Sequence, residues 1–173
     1  LWGVDERLTK ITSVASLKGL LSQHLSDSVN FVNAEQVAEA RGIAISSTIH
    51  PTPRDYANLI TFRASSPTEE ICISGTVFHE KNQRIVSVNN FRVEFKPEGH
   101  LIYIINRDVP GVVGKVGTLL GDREINIAEY NLARSDSGGR AMAIITIDSR
   151  LDPETLSFLR SYREMIEVKQ VKL

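Results

Sequence analysis

The spacing of apolar residues changes several times along this chain, and each change marks an element. Leu101 to Ile105 is a continuous run of apolar and aromatic residues, the pattern of a buried strand. The turn residues Asn106-Arg107-Asp108-Val109-Pro110-Gly111 break it. From Gly111 the period becomes helical, with Val112, Val113, Val116, Leu119 and Leu120 on one face and Gly121-Asp122 as the stop. Asn126 to Ala133 reads as a strand, Ser135 to Gly139 as a hairpin turn and Ala141 to Ile147 as the returning strand. Asp152-Pro153-Glu154 predicts a helix start, a capping carboxylate followed by Pro at the first position, with Leu156, Leu159 and Tyr162 as the apolar face. Ile166 to Val171 closes the segment as a strand. The order is βαββαβ, the ferredoxin-like arrangement.

Upstream the signals are weaker. Leu1 to Lys10 has no clear period. Ser13 is a candidate cap for a helix with Val14, Leu17, Leu21 and Leu25 on one face. Asn33 with Gln36 suggests a capping box for a second helix carrying Ala34, Val37, Ala38 and Arg41, ended by Gly42. Ile43 to Ile49 reads as extended, and His50-Pro51-Thr52-Pro53 as a loop. Strands are expected at 57–64 and 71–78, with Gly75 marking a bulge or close approach, and a hairpin at 84–88 and 91–95 around Asn89-Asn90. Pro97-Glu98-Gly99 punctuates a boundary. The expected fold class is α+β: a mixed α/β domain over 1–97, then the βαββαβ domain over 100–173.

Arg107 to Gly114 (RDVPGVVG), followed by Ile125-Asn126-Ile127, resembles an ACT domain, a small regulatory module that binds amino acids. The similarity extends over 100–173 and is closest to the ACT domain that ends D-3-phosphoglycerate dehydrogenases. Leu17-Lys18-Gly19-Leu20-Leu21, Val29-Asn30-Phe31-Val32-Asn33-Ala34 and Ala40-Arg41-Gly42-Ile43 resemble the intervening, allosteric substrate-binding domain of the same family. That resemblance implies a first domain lacking its upstream strands, hence a fragment of a longer chain. It also implies NAD-binding catalytic domains elsewhere in the parent.

Composition narrows the classes. A hydrophobic fraction of 42% in 173 residues supports packed cores. The net charge of −1 argues against nucleic acid or an anionic membrane as the main partner. The single Cys72 forms no internal disulfide and suits a reducing cytoplasm. No signal peptide or spanning stretch is evident.

No catalytic constellation emerges. Gly111 to Thr118 invites a nucleotide-loop reading, but the spacing of the glycines and Lys115 does not fit, and G-x-G-x-x-G is absent. His24, His50, His79 and His100 are scattered without metal-site spacing. Gly114, Gly117 and Gly121 form a stripe that admits either close packing within the domain or approach by another helix or ligand.

The start of the 112–122 helix carries the ligand argument. The first backbone N–H groups, at Gly111, Val112 and Val113 after Pro110, lack intrahelical partners and favour a carboxylate. Asp108 can accept hydrogen bonds from an α-ammonium, and Asn126 offers donor and acceptor. Taken alone, Asp108 also suits a turn and Asn126 a loop. The resemblance implies that positions matching Asp108 and Asn126 contact L-serine, with Asn106 nearby where the family often has His or Tyr. Arg84 and Lys96, at the two ends of the hairpin, meet when it folds. Two close cations suit a phosphate-bearing or carboxylate anion, and the resemblance implies an effector anion site, with His50 and Arg54 as further candidates. The alternative is a solvated charged edge.

The reading is therefore a non-catalytic, serine-binding regulatory region, cytoplasmic and homo-oligomeric, paired through the edge strand at 126–133. Alternatives are the regulatory portion of an iron–sulphur L-serine dehydratase and a stand-alone amino-acid sensor.

Overall fold

The computed structural model describes residues 6–22, 25, 29–49, 55–79, 81–135 and 139–173. His24, the loop at His50–Arg54 and the tip of the 135–139 turn lie outside them. The chain divides into two compact units, Leu1–Ala64 and Ser65–Leu173.

In the first unit, α1 spans Glu6–Ser22 and α2 spans Ala34–Ala40. Helix α1 begins well before Ser13, which corrects the expected cap. Thr12, Ser13 and Ser16 instead donate their hydroxyls to the carbonyls of Leu8, Thr9 and Thr12 one turn back, so they decorate the helix interior. Of the expected apolar face, Val14, Leu17 and Leu21 are buried with Val29, Ala34 and Ala38, while Leu25 lies past the end of α1 and packs against them only partly buried. Asn33 is the N-cap of α2 but makes no capping bond to it; its Oδ1 accepts from the Asn30 N–H at 2.8 Å. Gly42, at φ +69°, follows α2, where only glycine turns left-handed without strain. Residues 43–49 form no ladder. Strand β1, Ile60–Ser65, closes the unit, starting later than expected.

The second unit begins with three antiparallel strands, β2 (Glu70–Phe78), β3 (Asn82–Val88) and β4 (Phe91–Phe95). Register slips between Ser74 and Gly75, the expected bulge. A Cβ at Gly75 would stand 3.2 Å from the Arg84 carbonyl oxygen, so the close approach also holds. The βαββαβ order follows: β5 (His100–Arg107), α3 (Val112–Asp122), β6 (Ile127–Arg134), β7 (Arg140–Ile147), α4 (Pro153–Ser161) and β8 (Met165–Lys172). These strands lie in the order β6-β7-β5-β8, all neighbours antiparallel. The Asp152 carboxylate caps α4, accepting from the Thr155 N–H at 2.8 Å and its hydroxyl at 2.6 Å. Those bonds hold the Asp152 pKa below its ordinary value.

Strands β5 and β7 are buried on both faces. Ile102, Ile104, Ala143, Ile145 and Ile147 face a core with Val116, Leu119, Leu120 and Leu159 of the helices. Their alternates Leu101, Ile105, Met142 and Ile144 face a second core with Val88, Val93 and Phe95 of β3 and β4. The junction expected at Pro97–Gly99 therefore lies inside the second unit, because both sides of it share that core. Val113 departs from the expected apolar face of α3 and is 48% exposed.

Leu159 is fully buried, while its neighbour Phe158 is 49% exposed. Leu159→Ala is expected to lower the unfolding free energy by about 2–5 kcal/mol. Phe158→Ala should cost much less. Urea denaturation of both variants checks this; equal losses would contradict the assigned core.

Candidate functional site

Strand direction decides which candidate residues meet. Strands β5 and β6 are both antiparallel to β7, so they run parallel to each other. Asp108, just past the end of β5, lies at the same end of the sheet as Arg134, the last residue of β6. Asn126, just before β6, lies at the opposite end. The backbone shows this directly: the Asp108 N–H donates to the Gly139 carbonyl, and the Asn126 carbonyl accepts from the Asp148 N–H. Gly139 and Asp148 are separated by about 30 Å at the rise of an extended strand. One chain therefore does not bring Asp108 and Asn126 onto one small ligand.

At the Asp108 end, α3 starts without a side-chain cap. Its N-cap is Gly111 at φ +90°, a left-handed conformation that any other residue would strain. The first-turn N–H groups of Val112 and Val113 are thus left open to an anion. Asp108 is mostly shielded, its side chain 16% exposed, and Arg134 reaches it: Nε donates to Oδ2 at 2.6 Å. Asn106 is 3% exposed, and its amide donates to the Arg107 carbonyl at 2.6 Å. Pro110 is exposed ahead of Gly111. At the far end, Asn126 donates to Asp148 Oδ2 at 2.9 Å and is itself exposed.

Sequence reasoning missed a clasp on the same helix. Lys115 Nζ lies 2.7 Å from Glu164 Oε1, and Arg163 Nε lies 3.0 Å from that oxygen. The Glu164 backbone carbonyl accepts from the Arg107 N–H. The clasp ties the end of β5, the first turns of α3 and the turn before β8 together. The bonds from Lys115 and then Arg163 bring the Glu164 carboxyl down from its ordinary 4.5 to about 2. Arg134 was equally unread, although a cation ending the strand parallel to β5 must fall near Asp108.

The glycine stripe is open. A Cβ at Gly114, Gly117 or Gly121 would meet nothing within 4 Å, so close packing within the chain does not require these glycines. Arg84 and Lys96 lie one residue beyond the Ile85–Phe95 cross-strand pair, hence opposite each other on the face away from the core. Each is already near an acid: Arg84 is 3.7 Å from Glu94 and Lys96 is 3.6 Å from Glu98.

With this geometry, sequence comparison gives a consistent picture. The family profile of the D-3-phosphoglycerate dehydrogenase intervening domain matches residues 3–89, and that of the ACT domain matches 100–163. The D-3-phosphoglycerate dehydrogenase of Bacillus subtilis is 34% identical over 165 residues, covering 95% of this chain and 31% of its own length. That of Synechocystis is 33% identical, covering 92% of the chain and 29% of its own length. That of Archaeoglobus fulgidus is 34% identical, covering 95% and 32%. The chain spans about a third of the length of these relatives. An intervening domain followed by an ACT domain defines a regulatory region. The chain belongs to the D-3-phosphoglycerate dehydrogenase family and matches that region of it. Among the described residues, no helix is long and apolar enough to cross a membrane.

The clasp yields a pH prediction. Because the folded-state pKa of Glu164 is depressed, its contribution to stability is complete above about pH 4.5 and is lost as the pH falls towards 2. Glu164→Gln should unfold at a lower temperature than the wild type at pH 7, with the gap closing across that window. Thermal melts at a series of pH values check it; a gap independent of pH would exclude the ion pair as its source.

Proposed function

We propose that the chain binds L-serine as a feedback effector for a parent NAD-dependent D-3-phosphoglycerate dehydrogenase, the first enzyme of serine synthesis, in the cytoplasm. The observation that carries this is the uncapped start of α3 beside Asp108. There a carboxylate finds the N–H groups of Val112 and Val113, and an ammonium finds an acid mostly shielded from water. The named relatives are all D-3-phosphoglycerate dehydrogenases, which favours this parent over an iron–sulphur dehydratase or a stand-alone sensor.

The separation of Asp108 from Asn126 favours a site completed by a second copy. Among the described residues β6 is hydrogen-bonded to β7 alone, so its outer edge is free for pairing. Antiparallel pairing of two β6 edges about a two-fold axis sets the start of one strand against the end of the other. Asn126 of the partner subunit then approaches Asp108. Leu132, Val113 and Val109, respectively 48%, 48% and 44% exposed, offer apolar surface to such a contact. Serine bridging two chains would favour one arrangement of the assembly and so act on distant catalytic domains. In the intervening domain, Arg84 and Lys96 remain the candidates for a phosphate-bearing anion, supported by their opposed positions.

Calorimetry of serine binding tests the reading. Asp108→Ala is expected to lose roughly 1.5–3 kcal/mol, about tenfold to a hundredfold in affinity. No binding by the wild type across an amino-acid panel would sink it. Sedimentation tests the assembly: Glu129→Pro, which blocks edge pairing, should shift the chain towards monomer. A wild type that stays monomeric at high concentration with serine would exclude the shared site.

A further inference from the structure

We propose that Arg134 is an internal counter-ion seated in the ammonium position of the effector site, which the incoming ligand must displace. This rests on the effector reading above and adds a competitor to it. Asp108 is the acid available to a ligand ammonium, and its Oδ2 already accepts from Arg134 Nε at 2.6 Å. The Asp108 carboxylate thus serves two cations, one covalently part of the chain and one brought by the ligand.

The two partners differ in how firmly they are held. Asp108 is fixed: its backbone N–H is bonded to Gly139, and its side chain is 16% exposed. Arg134 is anchored through its backbone opposite Ala141, but its side chain is 69% exposed. A long, solvated guanidinium can swing into water at little cost, while the carboxylate stays in place. The acid is therefore kept neutralised until an effector arrives, and the cation leaves rather than the acid.

Two consequences follow. The competent fraction of sites is reduced by the strength of an exposed ion pair, which amounts to about a two- to fivefold weaker apparent affinity. Ligand binding also exchanges one ion pair on Asp108 for another, so ionic screening nearly cancels at that contact. Without Arg134 the ammonium makes a new pair, and salt weakens binding more steeply.

The test is calorimetric titration of the whole chain with L-serine, for wild type, Arg134→Gln and Arg134→Lys, at low and high salt. All three are compared at a concentration where they sediment alike. Arg134→Gln is expected to bind serine about two- to fivefold more tightly than wild type at low salt, with the advantage shrinking at high salt. Arg134→Lys, which keeps a competing cation, should stay close to wild type. Unchanged or weaker binding by Arg134→Gln would overturn the displacement role and leave the serine site standing. Failure of both wild type and Arg134→Gln to bind serine would overturn both the effector reading and the displacement role.

Discussion

A strand that is apolar on both faces needs two covers, and β5 and β7 impose that requirement on the rest of the second unit. Their residues alternate between two cores: Ile102, Ile104, Ala143 and Ile145 under the helices, and Leu101, Ile105, Met142 and Ile144 under β3 and β4. At about 25 cal/mol per Å² of apolar surface buried, covering both faces of such a pair contributes substantially to stability. The helices α3 and α4 form one cover. The other comes from β3, which lies within the intervening-domain match, and β4, which lies between the two family matches.

That rigid pair fixes the candidate site. Asp108 leaves the sheet where β5 ends, and the left-handed Gly111 turns the chain into α3 with its first N–H groups unfilled. Lys115 and Glu164 then lock α3 to the turn before β8. Asp108 is thus held by the sheet through its backbone, while Arg134, which pairs with it, reaches it only through a long, exposed side chain.

Much of this was legible in the sequence, and the exceptions have physical causes. The βαββαβ order, the Gly75 bulge and the Asp152 cap followed from periodicity and turn chemistry, which are local. The start of α1 was missed because Thr12, Ser13 and Ser16 have the residue types of caps, yet they bond back to carbonyls within the helix. Asp108 was identified by its place before a helix. Its pairing with Arg134 depends on the direction of β6 relative to β5, a property of the sheet rather than of any short stretch. The second cover over Leu101 and Met142 was hidden for the same reason. A continuous apolar run announces that both faces are buried, but not by what.

The shared core over that face bears on how such regions can be recombined. A transplant of residues 100–173 alone would leave Leu101, Ile105, Met142 and Ile144 facing water, an apolar patch of the kind that draws chains into aggregates. The portable piece, in packing terms, carries β3 and β4 with it, since Val88, Val93 and Phe95 line that face. Chimeric regulators grafted at residue 100 would inherit a sticky surface, whereas those that include β3 and β4 would carry their own lining.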